Sequence, residues 1–185
     1  VMLTAPGFNA QYPPDTFIGG LNAMTNDLLD GKRILIVDDE PDVFETLEEL
    51  LPMCILVEAS TFEEARGLLE QESFDMAILD IMGVDGYKLL EIANEKKVLS
   101  VMLTAHALSV EDTVKSFEGG AAFYVPKEEM LHIATFLEDV LVAQKTGKNL
   151  VSRWFERLGS FYDKKFGPDW QQNDKEFWEK YKYWI

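Results

Sequence analysis

The sequence predicts an α/β fold: a (βα)5 doubly wound parallel five-stranded sheet in the order 2-1-3-4-5, followed by a C-terminal helical extension. Three observations predict it. Five short apolar runs of four to six residues alternate with helical patterns between residues 33 and 146. These runs are nearly continuous in apolar residues, as suits parallel strands covered on both faces, rather than alternating as in a half-solvated sheet. Helix start and stop signals fall in the gaps between them.

The first run, Arg33-Ile-Leu-Ile-Val37, leads into Asp38-Asp39-Glu40. Pro41 follows, as at a first helical turn, and Val43, Phe44, Leu47, Leu50 and Leu51 supply the apolar stripe. Ile55-Leu-Val-Glu-Ala59 is the second strand, and Ser60-x-x-Glu63 reads as a capping box before Ala65, Leu68 and Leu69. Met76-Ala-Ile-Leu79 is the third, ending at Asp80, and Tyr87, Leu89, Leu90 and Ile92 follow Gly86 on a helix. Val98-Leu-Ser-Val-Met-Leu103 is the fourth. Ser109-x-x-Asp112 starts the next helix, with Val114 and Phe117 on its stripe and Gly119-Gly120 at its end. Ala121-Ala-Phe-Tyr-Val125 is the fifth strand, and Met130, Ile133, Ala134, Leu137, Val140 and Leu141 mark a long helix closed near Gly147.

Composition narrows the classes of function. The 185 residues carry 33 acids against 17 bases, a net charge of −16. That balance excludes general binding to a nucleic-acid backbone, which needs clustered Lys and Arg. No apolar run reaches the length of a membrane span. The single cysteine, Cys54, forms no intramolecular disulfide and belongs to no Cys/His zinc cluster, so a reducing cytoplasmic setting is expected. The charge is uneven: residues 33–149 hold 24 acids and nine bases, whereas residues 150–185 hold six acids and seven bases. All four tryptophans (Trp154, Trp170, Trp178 and Trp184) lie in that last stretch.

Three segments follow: a loop or leader over 1–31, a domain over 32–147 and an aromatic-rich helical extension over 148–185. Pro and Gly break periodicity in the first segment, and residues 1–23 read as sequence upstream of a start at Met24. In the last, Asn149 caps a helix carrying Leu150, Val151, Trp154, Phe155, Leu158, Phe161 and Tyr162. Gly167-Pro168-Asp169 is a turn, and Asn173 or Asp174 opens a short helix with Phe177, Trp178 and Tyr181. About 36 residues are too few to fold alone. The aromatic face therefore covers the domain's own surface, a second copy in a homodimer, or another protein, with Trp154, Phe155, Phe161 and Trp178 as the candidate contact residues.

In a doubly wound sheet the ligand site lies beyond the carboxyl ends of the strands, where the winding reverses between strands 1 and 3. Those ends carry Asp38-Asp39-Glu40, Asp80, Thr104-Ala105 and, after strand 5, Lys127. Converging carboxylates stay ionised comfortably when a cation joins them, and oxygen ligands without His or Cys select Mg²⁺ or Mn²⁺. A cation with open positions recruits a phosphate, and one carboxylate then serves as nucleophile. Lys127 and Thr104 would hold phosphoryl oxygens.

Ile34-Leu-Ile-Val-Asp-Asp-Glu40, Ala77-Ile-Leu-Asp80, Leu103-Thr-Ala105 and Tyr124-Val-Pro-Lys127 together resemble the receiver domain of two-component response regulators, of the chemotaxis-receiver, flavodoxin-like type. The resemblance covers roughly residues 32–146. It implies Asp80 as phospho-acceptor from a sensor histidine kinase or phosphotransfer protein. It implies Mg²⁺ at Asp39, Asp80 and the Met82 carbonyl, with Asp38 assisting through water. Lys127, Thr104 and the amides of Met82 and Ala105 would contact the phosphoryl group, and Thr104 with Tyr124 would form the switch. His106 lies near the expected path of the attacking water and would tune phosphate lifetime. Chemistry is then confined to self-phosphorylation and autodephosphorylation at Asp80, with no substrate turnover. Signalling is expected through contact with a downstream protein, without DNA-binding output, nucleic acid or membrane.

The chain departs from the family beside Lys127, where Glu128 follows in place of the frequent Pro and Pro126 precedes, and above all in the loop after Asp80. Asp80 is followed by Ile-Met-Gly-Val-Asp85-Gly86, two residues shorter than the usual loop and without its proline. This loop motivates an alternative, a receiver-like scaffold or interaction module that takes no phosphate. Flavin binding on the same topology is disfavoured, because Asp38-Asp39-Glu40 stands where a Ser/Thr/Gly-rich phosphate loop is needed. A haloacid-dehalogenase-type phosphatase lacks its second Asp two residues after Asp80.

Overall fold

The computed structural model describes residues 28–105 and 109–182. Five parallel strands, β1 (Arg33–Val37), β2 (Ile55–Ala59), β3 (Met76–Asp80), β4 (Leu99–Thr104) and β5 (Phe123–Pro126), form one sheet in the order β2-β1-β3-β4-β5. The connecting helices are α1 (Pro41–Leu50), α2 (Phe62–Gln71), α3 (Gly86–Glu95) and α4 (Val110–Glu118). A 3₁₀ turn (Lys127–His132) leads into α5 (Ile133–Thr146). Because the chain steps one way from β1 to β2 and the other way thereafter, right-handed crossovers put α1 on the face opposite α2, α3 and α4. The central strands are accordingly sealed on both sides, and all five residues of β3 are buried.

Local chemistry explains the boundaries. Pro41 occupies the first turn of α1, and Gly147 ends α5 with φ +68°, the left-handed region where a side chain is strained. Ser109 caps α4 as a reciprocal pair: its hydroxyl accepts from the Asp112 amide at 2.9 Å and donates to the Asp112 carboxylate at 2.8 Å. The cap of α2 differs by one residue from the expected Ser60. Thr61 caps instead, accepting from the Glu64 amide at 3.3 Å, while Glu64 Oε2 reaches back to the Ser60 amide at 3.0 Å. The sequence also carries Thr61-x-x-Glu64, and its hydroxyl caps the helix while its carboxylate takes the amide one residue earlier, on Ser60. The long last helix of the sheet domain also starts later than its apolar stripe suggests, because Lys127–His132 forms a tighter 3₁₀ turn first.

Leu29 is fully buried in the same core as the sheet, and Gly31 ties to Met53 by a backbone hydrogen bond of 2.9 Å. The expectations for residues 1–27 lie outside the described residues.

The C-terminal segment forms α6 (Leu150–Phe166), a 3₁₀ turn (Trp170–Asp174) and α7 (Lys175–Lys182). It packs on the sheet domain's own β5 edge and on α4 and α5. Asn149 caps α6, its Oδ1 accepting from the amides of Val151 and Ser152 at 2.8 and 3.1 Å. Trp154 is fully buried and is ringed by Phe117, Tyr162, Trp170 and Trp178, with centroids 4.8–6.2 Å away. Its indole N–H donates to the backbone carbonyl of Tyr124 at 2.7 Å. β5 pairs with β4 alone, so this bond satisfies an acceptor on an open sheet edge. Buried Asp139 on α5 receives Arg153 Nε at 2.9 Å and Arg157 Nε at 2.7 Å, which fixes the α5–α6 pair.

Truncating a fully buried Trp leaves a large cavity. Trp154→Ala should therefore cost about 3–5 kcal/mol, read as a lowered urea midpoint by far-UV circular dichroism. An unchanged midpoint would mean the tail's core is not part of the cooperative unit.

Candidate functional site

The pairing register brings the functional side chains together. Val37 lies opposite Leu79 in the β1–β3 pair, so the residues that follow, Asp38 and Asp80, leave adjacent strand ends side by side. In the β4–β5 pair Thr104 lies opposite Pro126, so Lys127 emerges one residue beyond on the next strand. A one-residue slip in either pair would turn these groups to the other face of the sheet.

Lys127 is the hub. Its Nζ lies 2.8 Å from Asp38 Oδ2, 2.7 Å from Glu40 Oε1 and 3.3 Å from Asp80 Oδ1, and only 11% of its side chain is exposed. Burial alone would favour the neutral amine. The bonds to Asp38 and Glu40 and the field of Asp80 outweigh it and hold the lysine above its ordinary value, so it stays charged. Asp38 is 1% exposed, and burial, only partly offset by Lys127 and by the Glu40 amide on Oδ1 at 3.0 Å, raises its carboxyl above the usual range.

Asp80 is buried at 5% exposure. Its Oδ2 accepts from the amides of Met82 at 2.9 Å and Gly83 at 3.0 Å, which folds the short loop back onto the carboxylate. Two glycines allow the close approach. A Cβ on Gly86 would come 2.0 Å from the Asp80 carbonyl oxygen, and one on Gly83 would come 1.9 Å from Asp39 Oδ1. Asp85 takes a left-handed conformation, φ 56°, which Asp tolerates better than most residues. Asp39, Glu40, Asp80, Met82 and Gly83 line a cleft of about 380 Å³.

Of the three carboxylates expected to share one cation, Asp39 and Asp80 line the cleft and Asp38 lies beside Lys127. Asp38 faces Lys127, and among the described residues its Oδ2 makes no hydrogen bond beyond that ion pair. Among the described residues no group of three or more His, Cys, Asp and Glu side chains is arranged to hold a metal ion. What remains on the cleft is Asp39 and Asp80, a hard-oxygen pair of the sort Mg²⁺ accepts alongside water and phosphate. The Met82 amide, expected to face a phosphoryl group, is bonded to Asp80 itself.

Thr104 is buried at the end of β4, Ala105 beside it is exposed, and Tyr124 is fully buried within β5. Burial, added to by the field of Tyr162, pushes the Tyr124 phenol well up, so it remains neutral. His106 lies outside the described residues. Of the aromatic residues named as contact candidates, Trp154 and Trp178 are buried within the chain, and Phe155 and Phe161 are half-buried against the same core. Glu40 and Gly83 were not singled out in sequence. Glu40 reads there as the last acid before a helix, and only the reach of Lys127 across the sheet reveals it as an ion-pair partner.

The model of the response regulator receiver domain matches residues 34–135. The chain belongs to that family. It is 42% identical over 106 residues to the probable transcriptional regulator ycf27 of Guillardia theta, an alignment covering 55% of this chain and 41% of that protein. It is 38% identical over 103 residues to the two-component response regulator ARR18 of Arabidopsis thaliana, covering 52% of this chain and 16% of that one. The chain thus spans less than half the length of these relatives. A response regulator structure from Chloroflexus aurantiacus superposes with a TM-score of 0.55 at 28% identity, over 61% of this chain and 99% of that one. A receiver domain protein (CheY-like) from Methanospirillum hungatei gives 0.53 at 29%, over 62% and 99%. The receiver is therefore a component of two-component signal transduction. Among its described residues no helix is long and apolar enough to cross a membrane.

The raised Asp38 carboxyl has a signed consequence. The folded receiver binds that proton more tightly than the unfolded chain, so Asp38 supports folding when protonated and loses this as pH rises through its folded-state value. Asp38→Asn leaves Lys127 with Glu40 and Asp80. The variant should be more stable than the parent at pH 7, by about 0.5–2 kcal/mol, with the gap closing as pH falls below the carboxylate range. Urea titrations at both pH values check this; a gap that widens in acid would contradict it.

Proposed function

We propose that Asp80 accepts a phosphoryl group from a phosphohistidine donor, and that Asp39 and Asp80, with the Met82 carbonyl, hold the Mg²⁺ (or Mn²⁺) this transfer uses. The observation that carries the reading is the convergence of Lys127 on buried Asp80 at 3.3 Å beside a carboxylate-lined cleft. When bound, the metal would neutralise negative charge gathering between Asp80 and the incoming phosphoryl oxygens.

The chain's own residues account for the rest. The amides of Met82 and Gly83 fix one Asp80 oxygen, which orients the carboxylate and leaves Oδ1 toward Lys127. A carboxylate oxygen attacks phosphorus and a P–O bond forms. The P–N bond breaks, and its electron pair returns to the donor imidazole, which leaves neutral when its other ring nitrogen carries the proton. Lys127 exchanges Glu40 for a phosphoryl oxygen and balances the added charge. Thr104 stands at the neighbouring strand end, where its hydroxyl would meet another phosphoryl oxygen, and Ala105 would offer its amide. The downstream signal passes by protein contact. In support of this, the described residues after 147 fold back onto the receiver instead of forming a separate output unit.

Incubation with Mg²⁺ and phosphoramidate should add one phosphoryl mass to the intact protein. Asp80→Asn should abolish the adduct. An adduct that survives this substitution would place the phosphoryl group on another residue, and no adduct in the parent would favour a scaffold that takes no phosphate. A second variant tests the metal seat. Gly83→Ala puts a methyl group where the Asp39 carboxylate lies. It should leave the fold intact and raise the Mg²⁺ concentration for half-maximal phosphorylation by roughly tenfold or more; an unchanged requirement would remove Asp39 from the metal's ligands.

A further inference from the structure

Three of the contacts by which the C-terminal segment grips the receiver lie a short step from a residue of the phosphoryl site. Trp154 holds the Tyr124 carbonyl at 2.7 Å, and Tyr124 lies on β5 three residues before Lys127, which follows the strand. Tyr162 shares a 2.7 Å hydrogen bond with Thr113 on α4, the helix that follows the Thr104 strand end. Lys165 pairs at 2.6 Å with Glu128, the residue after Lys127. Two of these grips are buried, and all three are made while Lys127 is bound to Asp38, Glu40 and Asp80.

We infer that the segment 150–182 is an intramolecular clasp that favours the unphosphorylated arrangement of β5 and α4, and that phosphorylation of Asp80 loosens it. This rests on the reading of Asp80 as acceptor. A phosphoryl group on Asp80 brings between one and two negative charges into the reach of Lys127. The lysine then trades Glu40 for phosphoryl oxygens, and this carries with it the backbone of Pro126 and Glu128 on either side. Tyr124 and Glu128 therefore leave the positions to which Trp154 and Lys165 are fitted. The interior is packed and has little slack to absorb such a shift, so the contact is lost rather than stretched. Linkage makes the effect reciprocal: the factor by which loading of Asp80 weakens the clasp is the factor by which the closed clasp weakens loading.

The test uses the full chain with Mg²⁺ and beryllofluoride as a phosphoryl mimic, its binding followed by the ¹⁹F signal of the bound species. Hydrogen exchange of the α6 and α7 amides should quicken when the site is loaded, and should stay unchanged in Asp80→Asn. The double variant Tyr162→Phe/Lys165→Gln removes two grips while keeping the buried ring, and should bind beryllofluoride about fivefold or more tightly. Loading that leaves the exchange of α6 and α7 unchanged or slower, or a double variant that binds no more tightly, overturns the clasp alone. Absence of loading in the parent overturns the acceptor reading and the clasp with it.

Discussion

Asp38 depends on Lys127, and Lys127 is held by Asp38 together with Glu40 and Asp80. A carboxylate at 1% exposure is costly to ionise, and the lysine offsets part of that cost; a lysine with 11% of its side chain exposed is costly to charge, and three carboxylates share the compensation. The pair also spans the sheet, from the end of β1 to the residue after the edge strand β5, with β3 and β4 between. It therefore fixes more than a local contact. It tethers the edge of the sheet to its centre at the end where the chemistry is expected, and it sets the distance from Lys127 to Asp80.

The position of β5 in turn seats everything C-terminal to it. An edge strand leaves backbone groups unpaired, and the Trp154 indole satisfies one of them from the side. Around that bond the aromatic rings of α6, the 170–174 turn and α7 close on Phe117 of α4. Asp139 adds a charged anchor by taking two arginines from α6. The near-neutral charge of this segment is consistent with its place: it lies on its own strongly acidic domain without strong attraction or repulsion, so packing and a few directed bonds decide where it sits.

Most of the fold was legible because it depends on periodicity and on punctuation, which are local. The five strands, the caps at Ser109 and Asn149 and the stop at Gly147 can each be read within a few residues. The Thr61 cap was displaced because two overlapping boxes satisfy the same local rule. The site was legible in part. Asp38, Asp80, Thr104 and Lys127 could be assigned to one end of the sheet from strand order alone. Which carboxylate faces Lys127 and which faces the cleft is a matter of side-chain direction, and strand order carries no information on it. Glu40 escaped for that reason, and so did the role of Gly83, which is visible only when the Asp39 carboxylate is found in the space its side chain would fill. The docking surface of the aromatic segment was open for a different reason. An amphipathic face announces that it needs cover, and says nothing about which surface provides it.

The connection between α5 and α6 is three residues long, Gly147-Lys148-Asn149. So short a tether keeps the aromatic segment at a local concentration on the order of millimolar relative to its own seat. Any protein that approaches the β5–α4 face from solution meets a competitor that never diffuses away. Its apparent affinity is reduced by the fraction of time the face is bare. Access to that face is thereby set within the chain, by how firmly the segment is seated, before the abundance of any partner matters.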